Sequence, residues 1–128
     1  FNCIKKHMHK HSELFIDIFM PSPEFLQNSK GKPQRRIEFF NSSAKKETII
    51  KEILHYDDET EIVTVDWFYQ FEEKTYNQFS FDMKIYYPDT MNRILIDSGF
   101  DILKLWGDYN RANFNEESTL QIYQCQIK

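Results

Sequence analysis

Leu95-Ile96-Asp97-Ser98-Gly99-Phe100-Asp101-Ile102-Leu103-Lys104-Leu105-Trp106-Gly107-Asp108-Tyr109 passes from a helical to an extended apolar pattern across one glycine. Upstream, Met91, Ile94, Leu95 and Ser98 fall on one helical face. Pro88 stops whatever precedes that helix, Asp89 suits its N-cap, and Gly99 stands where a left-handed C-cap is wanted. Residues 100–105 then read as a strand, 107–118 as a long polar link, and 120–127 as a closing strand. A short helix and two strands therefore end the chain.

Further upstream the period is two. Val63, Val65, Trp67, Tyr69 and Phe71 alternate strictly, and Phe79, Phe81, Met83, Ile85 and Tyr87 repeat the pattern after a turn placed at residues 72–77. Two such runs joined by a polar link read as an antiparallel hairpin with one apolar face. Residues 35–40 and 48–56 add two strands, separated by a turn at Asn41-Ser42-Ser43 and closed by Asp57-Asp58-Glu59. The polar stretch 28–33 marks a boundary, beyond which the pattern turns strand-like for about fifty residues. Before it, Leu14-Phe15-Ile16-Asp17-Ile18-Phe19 is a nearly continuous apolar run, the pattern of a parallel strand buried on both faces. Pro21 and Pro23 end it, and Pro23-Glu24-Phe25-Leu26 can start one helical turn. Phe1, Ile4 and Met8 share a stripe, as in the tail of an amphipathic helix.

Composition excludes several classes. With 41% hydrophobic residues, 16% aromatics and 12 phenylalanines in 128 residues, the chain is globular and can bury a real core. Sixteen basic against 20 acidic residues leave a net charge of −4, the wrong sign for tracking phosphates, so no nucleic-acid partner is expected. No apolar run approaches the roughly 20 residues that span a bilayer, so no membrane partner is expected. No signal peptide is visible, and Cys3 and Cys125 lie far apart without metal or redox spacing, which fits a reducing, cytoplasmic setting. His7, His9 and His11 lack a clustered carboxylate or cysteine and read as a solvated run, so no metal is expected. Opening on Phe1 points to a piece of something longer.

The block from Leu95 to Ile102, followed by Leu105-Trp106-Gly107-Asp108-Tyr109, resembles the last helix and strand of class I S-adenosylmethionine-dependent methyltransferases. The link through Asn113-Phe114 and Glu117-Ser118 and the final strand continue the likeness. Ile4-Lys5-Lys6-His7-Met8 with 14–19 and Pro21 is similar to the helix, turn and fifth strand of that family, although His9-Lys10-His11-Ser12 stands where a Lys-Pro-Gly-Gly turn is usual. The strands from about 30 to 87 look like the small antiparallel subdomain that one branch inserts after its fifth strand, over the substrate.

The resemblance implies an α/β fold. It would be the C-terminal part of a Rossmann-like methyltransferase sheet, residues 1–29 with 86–128, plus an inserted antiparallel β subdomain, residues 30–85, strand-rich with two or three short helices. It further implies a parent enzyme that uses S-adenosylmethionine to methylate a small-molecule acceptor. The family's cofactor turn needs closely spaced glycines and a ribose-binding carboxylate, whereas this chain has only Gly31, Gly99 and Gly107, far apart. No cofactor-binding residue is therefore expected, nor catalysis by this chain alone; no catalytic residue is assigned.

The resemblance puts Phe19, Met20, Tyr86, Tyr109 and Trp67 on the acceptor side. Each has a plainer reading: Trp67 and Phe19 as core, Tyr86 as surface, and Tyr109 with Asp108 as a turn. Asp17 needs a partner for its carboxylate. A fragment of a sheet should leave 14–19 with an unpaired edge, through which the chain would dimerise, swap or aggregate. The competing reading is a stand-alone β-rich module that binds a ligand or partner without catalysis.

Overall fold

Pro88 and Pro23 each occupy the first turn of a helix, where a missing N–H costs nothing. The computed structural model describes residues 1–43 and 45–128, with the backbone alone at Asn77 and Gln78. The order is α1 (Asn2–Lys5), β1 (Glu13–Phe19), α2 (Pro23–Ser29), β2 (Gln34–Asn41), β3 (Lys46–Asp57), β4 (Ile62–Phe71), β5 (Lys74–Lys84), α3 (Pro88–Asp97), β6 (Phe100–Trp106) and β7 (Leu120–Ile127). The strands form a three-stranded sheet, β1-β7-β6, and a four-stranded one, β2-β3-β4-β5. The chain divides into two compact units, Phe1–Pro21 with Tyr86–Lys128, and Ser22–Ile85. Residues 22–29, grouped with the first unit in the sequence reading, go with the second because α2 packs on β3 and buries Leu26 there.

In the first unit α3 packs on β6, and Gly99 turns the chain between them with φ +82. The N-cap of α3 is Tyr87 rather than Asp89, which lies in the first turn and favours the positive end of the helix. Met91, Leu95, Phe100, Tyr123 and Cys125 form the core, with Leu14, Ile16 and Ile18 packed against it. Burial pushes the Cys125 thiol up to about 11 and the Tyr123 hydroxyl up to about 12, so both stay protonated near neutrality.

Strand β1 departs from the sequence reading. It pairs antiparallel with β7, from Glu13↔Gln126 to Phe19↔Leu120, and it is covered on one face only. Phe15 and Phe19, on the other face, remain 56% and 62% exposed. Among the described residues no strand lies on its other edge. The helix expected over residues 1–10 closes after Lys5, and Ser12 N donates to His9 O at 2.8 Å in a turn. His7 and His11 therefore do not share a helical face.

The second unit is an antiparallel meander. The β4–β5 turn is tighter than expected: Glu72 and Glu73 both take positive φ, 48 and 59, and β5 begins at Lys74. Two-residue hairpins favour such backbones, normally with Asn-Gly, so the usual sequence signal was missing. Downstream, β5 slips register against β4 between Trp67 and Phe68, which breaks the alternation of residues 74–77 with 79–85. Helix α2 runs longer than one turn because the Ser22 hydroxyl accepts from Phe25 N at 3.1 Å.

Candidate functional site

In the first unit the open face of the β1-β7-β6 sheet collects the aromatic side chains. Phe15 stacks on Trp106, with centroids 6.5 Å apart and planes 10° from parallel. The Arg111 guanidinium lies over the Trp106 ring at 5.5 Å. The Tyr109 hydroxyl donates to Asp17 Oδ2, which supplies the partner that a strand carboxylate required. Acceptance of that hydrogen bond by Asp17, followed by partial burial and the carboxylate's charge, holds the Tyr109 hydroxyl above its ordinary range. Tyr109 can therefore donate near neutral pH but is a poor base there.

The segment carrying Tyr109 is shaped by its own side chains. Asp108 Oδ1 accepts from the backbone N–H groups of Asn110 and Ala112, at 2.9 and 3.0 Å. Gly107 packs so close to Ser118 that a Cβ there would meet its Oγ at 2.1 Å. The turn assigned to Asp108 is thus real, and it delivers Tyr109 to the β1 face.

Phe19 belongs to the same face as Asp17, two residues away on β1. Met20 does not: it is 8% exposed, and its backbone N–H donates to Thr119 O. Tyr86 is 38% exposed and its carbonyl accepts from Gln121 Nε2 at 2.6 Å. Gln121 is fully buried and its Oε1 accepts from the Tyr123 hydroxyl at 2.9 Å, so this amide fixes the entry into α3.

Trp67 belongs to the second unit. Its indole N–H donates to Glu52 Oε2 at 2.9 Å, while Glu52 Oε1 accepts from Arg36 Nε and Nη2 at 2.8 and 2.6 Å. The ring lies 5.3 Å from Phe79 and 6.0 Å from Phe81. The sequence reading missed Arg36 and Glu52. Glu52 had a signal, an acidic residue in phase with Ile50 and Leu54 on a buried face; Arg36 had none, because its pairing with Glu52 depends on β2 lying beside β3 in the observed register.

The hollows are open ones. One of about 430 Å³ is lined by Lys30, His55, Asp57 and Thr64 among others, beside a His55–Asp66 contact of 3.1 Å. Thr60, donating to Asp57 at 2.8 Å, holds that carboxyl below its usual range, so it serves a turn and is no proton donor near neutrality.

The three glycines are all engaged in local turns or packing. Gly31 follows α2 with φ +69, Gly99 caps α3, and Gly107 packs on Ser118. They do not make the glycine turn that the resemblance requires for S-adenosylmethionine. Among the described residues no group of His, Cys, Asp and Glu is arranged to hold a metal ion, and no helix is long and apolar enough to cross a membrane.

No protein-family model matches this sequence, and no curated protein does. Solved structures do match. A S-adenosylmethionine-dependent methyltransferase from Clostridium acetobutylicum superposes with a TM-score of 0.68 at 10% identity, over 97% of this chain and 48% of that one. The CcbJ methyltransferase from Streptomyces caelestis gives 0.69 at 11% identity, over 96% of this chain and 49% of its own. The chain thus spans about half the length of the structures it matches, and its fold is similar to that half of them.

Proposed function

We propose that this chain is the acceptor-side and sheet-completing part of an S-adenosylmethionine-dependent methyltransferase that acts on a small molecule. One observation carries the reading: almost the whole chain superposes on half of two such enzymes. Methyl transfer to an acceptor is mostly a matter of alignment in a dry pocket, and aromatic faces tolerate the sulfonium charge. Phe19, Tyr109 and Tyr86 are the side chains that the first unit offers for that task, and Trp67 is the one that the second unit offers on its own surface. Met20 would act from behind them, as packing. Cofactor binding falls to residues outside this chain.

Titrating the 128-residue chain with S-adenosylmethionine by calorimetry is expected to give no micromolar binding, and micromolar heat would overturn this division of labour. The parent assignment has its own check. Coding DNA upstream of residue 1 should contain, in frame, a strand followed by a glycine-rich turn; an immediate in-frame stop codon refutes the assignment.

The open edge of β1 supports the same reading over a stand-alone binding module. Unpaired N–H and C=O groups beside exposed Phe15 and Phe19 make a template for another strand. The isolated chain should homodimerise or aggregate through it, with a mass by light scattering that rises with concentration and falls in a Phe15→Lys variant. A sharp monomer of high thermal stability favours the independent module instead.

A further inference from the structure

Two register irregularities lie close together on one side of a cross-sheet row of the second unit. Arg36 is the extra residue between Arg35↔Lys51 and Ile37↔Ile50, and β5 slips against β4 between Trp67 and Phe68. The row beside them runs Gln34, Glu52, Trp67, Phe79. Bulges re-aim side chains and concentrate beside functional sites.

Glu52 is 9% exposed, with one oxygen held by Arg36 and the other by the Trp67 indole. A buried ion pair adds little net stability over apolar residues of the same size. What this pair provides is orientation: guanidinium and indole share one carboxylate and are held side by side. Phe79, 45% exposed, flanks the indole, and the Arg36 side chain is 41% exposed. The guanidinium spends only Nε and Nη2 on Glu52, and its remaining N–H groups are donors suited to an oxygen.

From this geometry we infer that the Arg36–Glu52–Trp67–Phe79 row is a binding platform for a small planar aromatic acceptor bearing a hydrogen-bond-accepting oxygen. The ring stacks beside Trp67 and Phe79, and the oxygen takes an Arg36 N–H. Because Glu52 already neutralises Arg36, the platform prefers a neutral carbonyl or phenol to a carboxylate. The inference rests on the acceptor-side reading and deepens it.

The probe is acetophenone, added to the ¹⁵N-labelled chain while the indole N–H signals of its two tryptophans are followed. The Trp67 signal, assigned with a Trp106→Phe variant, should shift saturably. Ethylbenzene, without the oxygen, and cyclohexyl methyl ketone, without the aromatic ring, should each bind about fivefold more weakly or worse. Phe79→Ala should weaken acetophenone by a similar factor, and Arg36→Lys should erase its advantage over ethylbenzene. A Trp67 signal that does not saturate, equal shifts at Trp67 and Trp106, or equal affinity for the cyclohexyl ketone overturns the platform. Failure to find a cofactor-binding segment upstream would sink the transferase reading and leave a positive result here intact.

Discussion

Phe100→Ala is expected to destabilise the first unit by about 3–5 kcal/mol, the usual cost of emptying an aromatic site in a core. Phe100 is fully buried, follows the positive-φ Gly99, meets Phe1 edge-on at 5.7 Å, and packs with Met91, Leu95, Tyr123 and Cys125. Both ends of α3 and the start of β6 are tied to it, so the cavity has little freedom to collapse. Urea unfolding of a Trp67→Phe background, in which Trp106 reports on the first unit alone, measures the loss. Phe15→Ala is the control: on the open face it should change stability by less than about 0.5 kcal/mol. A cost under 1 kcal/mol at Phe100 would show that the helix-and-hairpin core is not what holds the unit.

The second large effect lies at Glu52. Glu52→Ala removes three charge-assisted hydrogen bonds and leaves the Trp67 indole without its acceptor, at a cost of about 2–4 kcal/mol. The lower end reflects the half-exposed Arg36, which water can partly resolvate. The double variant Arg36→Met/Glu52→Leu should recover the share that comes from the unpaired guanidinium and the lost packing, while the Trp67 indole still lacks its acceptor. Trp67 emission in a Trp106→Phe background reads both. If the double variant is less stable than Glu52→Ala, the pair is structural cement and its orienting role is wrong.

The elements differ in how legible they were. Strands β3 and β4 could be read almost to their ends, because one face is buried and a period of two betrays it. Helix α3 and its glycine cap were legible for the same local reason. The Glu72-Glu73 turn was not, since acidic residues rarely adopt positive φ without tertiary support. Of the candidate site residues, Tyr109 was singled out and Asp17 queried, yet their hydrogen bond spans 92 positions and has no local trace. The resemblance puts Met20 on the acceptor side with Phe19, yet Met20, just past the end of β1, is buried while Phe19 stays exposed.

Local pattern by itself determined the order of elements and the helix-to-strand ending, because backbone propensity and burial period act over a few residues. Only the tertiary structure decided that β1 lies antiparallel to β7 with one face bare, and that β2 lies beside β3 in the register that sets Arg36 against Glu52. Those outcomes depend on which distant strand supplies the hydrogen-bond ladder, and one residue of register moves a side chain from one face to the other.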